Sequence, residues 1–124
     1  MTVAAVLFLV VPQCFADDLG DGLAAYDRGD YQSALEGWKK AAAAGEAAAM
    51  NAIAGLYDQG YGVGRDRAMA AKWYRRSAER GNAVGQLNLG DMYSRGAGVP
   101  LDRSEAYVWL SLAAAQGNAW SADK

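Results

Sequence analysis

Histidine is absent from this 124-residue sequence, and cysteine occurs only once, as Cys14. Histidine is the most common general base and metal ligand in proteins, and cysteine thiolate is the other usual ligand of structural zinc. Their scarcity argues against zinc chemistry, thiol catalysis and disulfide staples. The sequence therefore predicts a protein that is not an enzyme, that holds no metal or cofactor, and that is stabilised by packing alone.

A strong excess of positive charge is also missing. Twelve Lys and Arg residues stand against 14 Asp and Glu residues, which gives a net charge of −2, and every charged side chain lies after residue 16. This balance disfavours nucleic acid and anionic membrane surfaces as partners. Asp17, Asp18 and Asp21 form a small cluster. A position near the start of a helix, where negative charge is favourable, explains this cluster better than a metal site does.

Long apolar runs are rare, and the longest is Val3–Val11. It is too short to span a membrane, and small residues at Cys14 and Ala16 suit a cleavage site after residue 16. Residues 1–16 are therefore predicted to be a signal peptide, with the mature protein periplasmic or secreted and not stably inserted in a membrane. No basic residue precedes the run, which departs from the usual signal peptide. A retained anchor, a core strand and a lipidated Cys14 are the alternatives, and Gln13 is large for a lipidation site.

The chain does contain an internal repeat. Residues 47–82 and 83–118 form two units of 36 residues that align without a gap and are identical at twelve positions. A period of this length is typical of stacked helical repeats. The aligned identities include Tyr57/Tyr93, Gly60/Gly96, Gly62/Gly98, Val63/Val99, Asp66/Asp102, Ala70/Ala106, Trp73/Trp109, Ala78/Ala114 and Gly81/Gly117.

Each unit carries the signals of two helices. Met50, Ile53, Ala54 and Tyr57 repeat at helical spacing, and a glycine-rich segment follows them. The later part of the unit has its own helical pattern, with Trp73 and its copy Trp109 as expected core residues. Asp66 and Asp102 are expected to cap these second helices, and Glu105 suits a capping box with Asp102. The unit therefore reads as helix, glycine loop, helix, with Val63 and Val99 pinning the loop.

The pattern resembles the SEL-one-like repeat, a branch of the tetratricopeptide superfamily. The resemblance covers nearly all of 47–118, with Ala54 and Ile53 as mild departures from the usual glycine and leucine. It implies an all-α, right-handed α-solenoid of helix-turn-helix repeats that serves protein–protein contact. The residues that carry it are Leu56–Tyr57, Gly60–Val63, Asp66, Ala70, Trp73–Tyr74, Ala78, Gly81, Leu89–Tyr93, Gly96–Val99, Asp102, Ala106, Trp109, Ala113–Ala114 and Gln116–Gly117.

The flanking segments read as incomplete units. Residues 17–46 match the repeat after a five-residue deletion in the glycine loop, so they are predicted to form a shortened N-terminal repeat anchored by Leu35 and Trp38. Residues 119–124 match the start of a further, truncated repeat. The last full helix is expected to run from about Arg103 to Gln116.

The first helices of such repeats line a concave groove, as the resemblance implies. The exposed face next to the core face is then predicted to bind a peptide or protein, and its acidic groups favour a positively charged, extended segment. Plain solvent exposure of these positions is the alternative. The predicted groove residues are Asp27, Asn51, Gly55, Asp58, Leu87, Asp91 and Ser94.

The last helix carries apolar residues where its counterpart carries Lys72, Tyr74 and Arg76. Because a helix that is apolar on most sides requires cover, an exposed C-terminal apolar patch and self-association through this end are expected. The patch consists of Val108, Leu110, Leu112 and Trp120.

Two functional hypotheses follow from the sequence. The favoured one is an exported adaptor that binds a protein or peptide in its groove. The alternative, from cysteine-rich relatives of the resembled family, is a secreted enzyme or binder acting on β-lactam or peptidoglycan ligands, but the chain lacks those cysteines and any Ser-x-x-Lys motif. The basic stretch Lys72, Arg75, Arg76 and Arg80 is read as a solvated outer face rather than an anion site.

Overall fold

A computed structural model describes the backbone of residues 18–122 and the side chains of residues 18–117. This part of the chain folds into six helices and no strands, which confirms the all-α solenoid prediction. The first helices of the three units are α1, α3 and α5, and the second helices are α2, α4 and α6. Their bounds are 18–27 for α1, Tyr31–Ala43 for α2, Ala47–Gln59 for α3, Arg67–Glu79 for α4, Ala83–Arg95 for α5 and Arg103–Ala122 for α6.

The helices stack in chain order. From α2 onward each helix contacts the one that follows it, and α3 also touches α5. At the start of the array the Trp38 indole of α2 donates a hydrogen bond to the Leu19 carbonyl of α1, over 3.3 Å. Within the described range, no helix combines the length and the apolar content needed to cross a bilayer.

The aspartates predicted as caps do begin the second helices. The Asp66 carboxylate accepts the Met69 amide at 3.0 Å, and Asp102 accepts the amide of Glu105 at 3.1 Å. Glu105, however, does not complete a reciprocal box in the described contacts, because its carboxylate accepts the Trp109 indole N–H at 3.3 Å. The amides at these helix starts are therefore satisfied by one aspartate each.

Asp30 caps α2 in the same way, through the Ser33 amide at 3.3 Å. Hydrogen bonds from the Ser33 side chain and backbone hold the pKa of Asp30 below its usual value. A carboxyl whose folded-state pKa is depressed stabilises the fold above its ordinary pKa. That contribution is lost as the pH falls through the depressed value.

Glycine sets the end of α3 and of α5. Gly60 and Gly96 adopt left-handed φ angles of 73° and 64°, a conformation that costs other residues free energy. The following loops are the same in both copies, since the Asp66 and Asp102 amides donate back to the Tyr57 and Tyr93 carbonyls. Val63 and Val99 are half-buried against the core, as predicted.

The second glycine of each loop rests on the preceding second helix. Gly62 has a φ of 72°, and a Cβ there would lie 2.5 Å from the Cβ of Tyr31, the first residue of α2. Gly98 has a φ of 75°, and its Cβ would overlap the carbonyl oxygen of Arg67, the first residue of α4. Both positions therefore require glycine for two reasons, the backbone conformation and the close approach.

The core runs through the array as two adjoining clusters, with Tyr57 and Trp73 in contact with both. The first cluster lies between α1, α2 and α3, and the second lies between α3, α4 and α5. Their fully or nearly buried members are Ala25, Ala34, Leu35, Trp38, Ala41, Ala42, Ala49, Met50, Ile53 and Leu56, and then Ala54, Ala70, Ala71, Tyr74, Ala78, Leu89 and Met92.

The prediction that Trp73 and Trp109 form the core is corrected by this packing. Both are only half-buried, and the Arg76 guanidinium lies over the Trp73 ring at 4.5 Å. The buried face of α4 centres instead on the next residue, Tyr74, which is 8% exposed. One repeat earlier the same position is Trp38, which is 4% exposed. The tryptophans at 73 and 109 therefore border the core rather than fill it.

The last helix is longer than expected. The sequence predicts an end near Gln116, but α6 continues through Gly117 to Ala122. The predicted start of a further repeat at residue 119 thus begins inside a continuous helix.

Candidate functional site

A cavity opens between the first helices α1 and α3. Its volume is about 440 Å³, and a neighbouring cavity of about 290 Å³ shares Leu23, Trp38 and Ala52 with it. We call the two together the α1–α3 socket. Its lining residues are Leu19, Gly20, Leu23 and Tyr26 from α1, Trp38 from α2, and Ala48, Ala52, Gly55, Leu56 and Gln59 from α3. The socket is apolar except for Gln59 and the polar tips of its two aromatic residues.

One predicted groove residue, Gly55, lines this socket, and another, Asp27, is exposed one helical turn beyond Leu23 on α1. Sequence reasoning did not identify Leu23, Trp38, Ala48, Ala52 or Gln59 as lining residues. The available signal was a set of small residues at helical spacing on α3, at 48, 52 and 55, facing the exposed Leu23.

Two other predicted groove residues turn toward neighbouring elements. The Asn51 amide donates to the Asn82 side chain at 2.7 Å, and Asn82 is the residue that caps α5. Asn51 is half-buried and serves a contact between repeats, so it is a poorer ligand contact than the sequence indicates. Asp58 approaches Arg67 at 3.6 Å, with 30% of its side chain exposed.

Asp58 also affects the buried Tyr74. Burial first, and the Asp58 carboxylate second, raise the pKa of Tyr74 to about 12. The phenol therefore stays neutral at physiological pH. Asp58 stands beside the interior of the second unit while part of its carboxylate remains accessible.

The predicted groove residues of α5 lie on its exposed side. Asp91 forms an ion pair with Arg95 at 2.7 Å, and the Ser94 hydroxyl donates to the Asp91 carbonyl oxygen at 2.8 Å. Leu87 is 52% exposed and lines a different cavity of about 400 Å³ between α5 and α6. The seven predicted residues therefore do not form one continuous row.

Charge is segregated between the two sets of helices. The first helices carry five aspartates and a single basic residue, Arg95, whereas the second helices carry seven Lys or Arg residues and three glutamates. The surface that contains the socket is thus the acidic one. Complementary charge steers binding and selects partners, so this surface favours cationic segments.

The basic stretch of α4 is engaged with aromatic groups. The Arg75 guanidinium donates to the Tyr93 hydroxyl and lies 5.6 Å from the centre of that ring. Arg76 covers the Trp73 ring, and the Arg80 guanidinium would lie 3.2 Å from a Cβ at Gly45. Arg75 and Arg76 therefore have aromatic partners, and Arg80 lies next to Gly45, just after α2.

The C-terminal apolar patch is present in part. Val108 and Leu112 are 50% and 45% exposed, and Tyr107, which the sequence prediction left out, is 74% exposed. Leu110 is half-buried, because its side chain packs over Gly90, where a Cβ would approach it to 2.7 Å. Leu110 therefore belongs to the α5–α6 contact rather than to the exposed patch. The side chain of Trp120 lies outside the described residues.

Possible metal ligands do not converge in the part of the chain that the structure covers, where no group of three or more acidic residues could hold an ion. Asp18 and Asp21 of the predicted acidic cluster lie in α1, and Asp17 lies outside the described residues.

Comparison with known proteins identifies the repeat. The family model described as "Sel1 repeat" matches residues 47–82 and 83–118. No curated protein sequence matches the chain.

Several solved structures share the fold. The crystal structure of c5321, a protective antigen of uropathogenic Escherichia coli strains with an SLR fold, is 39% identical over 83% of this chain, with a TM-score of 0.78. A Sel1 repeat protein from Oxalobacter formigenes is 41% identical over 79% of the chain, with a TM-score of 0.75. This chain spans only 23% and 40% of those two proteins. Helicobacter pylori cysteine rich protein B is 19% identical over 94% of this chain and 89% of its own, with a TM-score of 0.73, which indicates a common fold.

Proposed function

The chain belongs to the Sel1 repeat family, whose members are generally protein-interaction scaffolds, and on that premise we propose that it is an exported adaptor that binds an extended peptide segment of a protein along its first helices. The single observation that carries this proposal is the apolar α1–α3 socket within an otherwise acidic surface. A peptide bound there would bury apolar side chains and place basic ones beside aspartates.

Export is supported by the apolar run Val3–Val11 and the small residues before Asp17, which lie outside the described structure. The β-lactam or peptidoglycan hypothesis is not favoured by the comparisons, since the cysteine-rich neighbour shares only the fold. An adaptor needs no catalytic group, which agrees with a sequence that has no histidine.

Neutralising Asp58 and Asp91, two of the three predicted groove aspartates, should weaken partner capture. We expect Asp58→Asn with Asp91→Asn to recover several-fold less partner from the exported compartment, because a cationic segment loses two attractive charges. Stability should change by no more than roughly half a kcal/mol, since exposed ion pairs such as those with Arg67 and Arg95 contribute little. Capture on the tagged chain followed by mass spectrometry gives the yield, and N-terminal sequencing of the chain purified from that compartment should begin at Asp17.

The matched control is Asp66→Ala. It removes an aspartate that caps a second helix, so it should cost about 1 kcal/mol of stability and leave capture unchanged. Equal capture by the double variant and the unmutated chain would place the binding surface elsewhere.

Self-association is expected through the C-terminal patch, now defined as Tyr107, Val108 and Leu112. We expect the chain to sediment as a concentration-dependent oligomer in the high micromolar range, because exposed apolar area promotes association. Val108→Lys with Leu112→Lys should reduce this without unfolding, since the equivalent positions of α4 are already Lys72 and Arg76.

Analytical ultracentrifugation measures the effect. Ala43→Lys with Ala68→Lys adds the same charge at exposed positions of α2 and α4, away from the patch, and should leave association intact. A monomer for the unmutated chain at all concentrations contradicts the expectation.

A further inference from the structure

Two helical glycines of the socket, Gly20 and Gly55, have open space beside them. Cβ atoms built on Gly20 and Gly55 have no heavy atom of another element within 4 Å. Glycine inside a helix lowers its stability, and neither position needs glycine for close packing. By contrast, Gly22 of α1 and Gly37 of α2 lie where a Cβ would overlap the Trp38 ring and approach the Asp18 carbonyl to 2.9 Å. The glycines of the socket therefore widen it rather than permit helix contact.

The walls are built for an apolar group. Leu23 is 56% exposed, and Trp38 beneath it is almost fully buried. Ala48 and Ala52 supply only methyl groups on the α3 side. Ligand sites are typically concave and mostly apolar with a few polar groups, and their volumes begin near 300 Å³, which the main cavity exceeds.

The next pair of first helices differs at the equivalent positions. Gly20 corresponds to Asn51, and Ala48, Ala52 and Gly55 correspond to Val84, Asn88 and Asp91. Larger and polar side chains thus stand between α3 and α5, and Asn51 bridges to the α5 cap there. The apolar socket is a local feature of the first junction and not a general property of the repeat.

Charge borders the socket on one side. Asp27 follows Leu23 by one turn and is exposed, and Asp58 follows Gly55 by three residues. Residues three or four apart on a helix are neighbours on its surface. Asp58 forms an ion pair with Arg67. No ion pair among the described residues includes Asp27.

We infer that the socket binds one large apolar side chain of an extended partner segment, with a lysine or arginine of the same segment placed against Asp27. This inference rests on the proposed peptide-binding function and specifies its anchor. The sequence class it selects is an aromatic or long aliphatic residue beside a basic one.

Two small probes that share an indole ring but carry opposite charges test the inference. The full chain is titrated with tryptamine, a cation, and with indole-3-propionate, an anion, and backbone amide NMR shifts are followed. Shifts should concentrate at residues 19–27 and 48–59. Tryptamine should bind about two- to fivefold more tightly, as one exposed charge pair permits.

Three variants test the apolar anchor and the charge contact separately. Gly55→Leu should fill the socket and weaken tryptamine binding by about tenfold or more, with an unchanged or higher melting temperature. Gly117→Leu, at a helical glycine of α6 that also faces open space, should bind tryptamine normally. Asp27→Asn should bring the affinities of the two probes closer together, while the remaining aspartates of the first helices keep a weaker preference for tryptamine.

Several results would overturn the inference. Shifts absent from both ranges, or unaltered by Gly55→Leu, would show that the socket takes no apolar group. Equal affinity of the unmutated chain for both probes would contradict the proposed lysine or arginine beside the apolar residue of the partner segment. Displacement of residues 3–11 by the probes would show that this chain's own apolar segment is the occupant.

Failure of the socket anchor can be distinguished from failure of the groove function by comparing the capture yields of the variants. If Gly55→Leu captures partner normally while the Asp58 and Asp91 double variant does not, the groove function stands and the socket anchor fails. If neither variant differs from the unmutated chain, the groove function fails. Only the NMR titration then tests whether the socket binds an apolar group.

Discussion

Replacing Trp38 with alanine should lower the free energy of unfolding by about 3–5 kcal/mol, as truncation of a buried tryptophan usually does. Trp38 is 4% exposed, its indole N–H is bonded to the Leu19 carbonyl, and its ring lies 5.8 Å from that of Tyr26. The substitution removes the residue that holds α1, α2 and α3 together. Chemical and thermal unfolding followed by circular dichroism measure the loss.

The comparison that makes this result informative is Trp73→Ala. Trp73 is half-buried at the border of both core clusters, so its loss should cost only about 1–2 kcal/mol. Equal losses for the two variants would show that the ring of Trp73 contributes as much to the core as that of Trp38. The buried face of the second helices would then be assigned wrongly.

Gly98→Ala is expected to have the second large effect, a loss of about 3 kcal/mol or more. An alanine at a φ of 75° costs about 1–2 kcal/mol in backbone strain. Its Cβ would also overlap the Arg67 carbonyl oxygen, so the loop must move away from α4. Forcing atoms into a packed contact typically adds about 1–3 kcal/mol.

Gly29→Ala separates the two contributions. Gly29 has a comparable φ of 81°, but a Cβ there meets no heavy atom within 4 Å. Its loss should therefore be limited to the backbone cost of about 1–2 kcal/mol. If the two variants unfold at the same denaturant concentration, the glycine loop does not depend on its contact with α4.

Local chemistry made the boundaries of most helices predictable. An aspartate such as Asp66 can accept free amides wherever a helix begins, and a glycine such as Gly60 is needed wherever the backbone turns left-handed. Neither requires knowledge of the rest of the fold. The end of α6 was not predictable in this way, because Gly117 is followed by residues that can continue a helix.

The core of the second helices was harder to predict, because a residue that is identical in both copies need not be buried. Trp73 and Trp109 are identical in the two copies, which predicted that they form the core. The next position of the repeat, which is buried in α2 and α4 and half-buried in α6, holds three different large side chains, Trp38, Tyr74 and Leu110. Only bulk and apolar surface are needed there, which different residues can supply when their neighbours adjust.

The socket depends on a distinction between adjacent small residues. Ala54 is completely buried in the second core cluster, whereas Gly55 faces open space. The helical pattern predicted this difference, since it placed Ala54 on the core face and Gly55 on the exposed face. It did not predict that Leu23 and Trp38 would enclose the space beside Gly55. The direction of each side chain relative to α1 and α4 follows from how the helices are placed, and a single sequence does not provide that placement.

The stacking of helices in chain order also bears on how this protein folds. Contacts between neighbouring helices join residues that are close together in the sequence. Chains dominated by such contacts fold quickly, because little loop entropy is lost before the contacts form. In repeat arrays folding can begin at one junction and propagate. All residues of the socket lie between Leu19 and Gln59, so this site is complete once three consecutive helices have assembled.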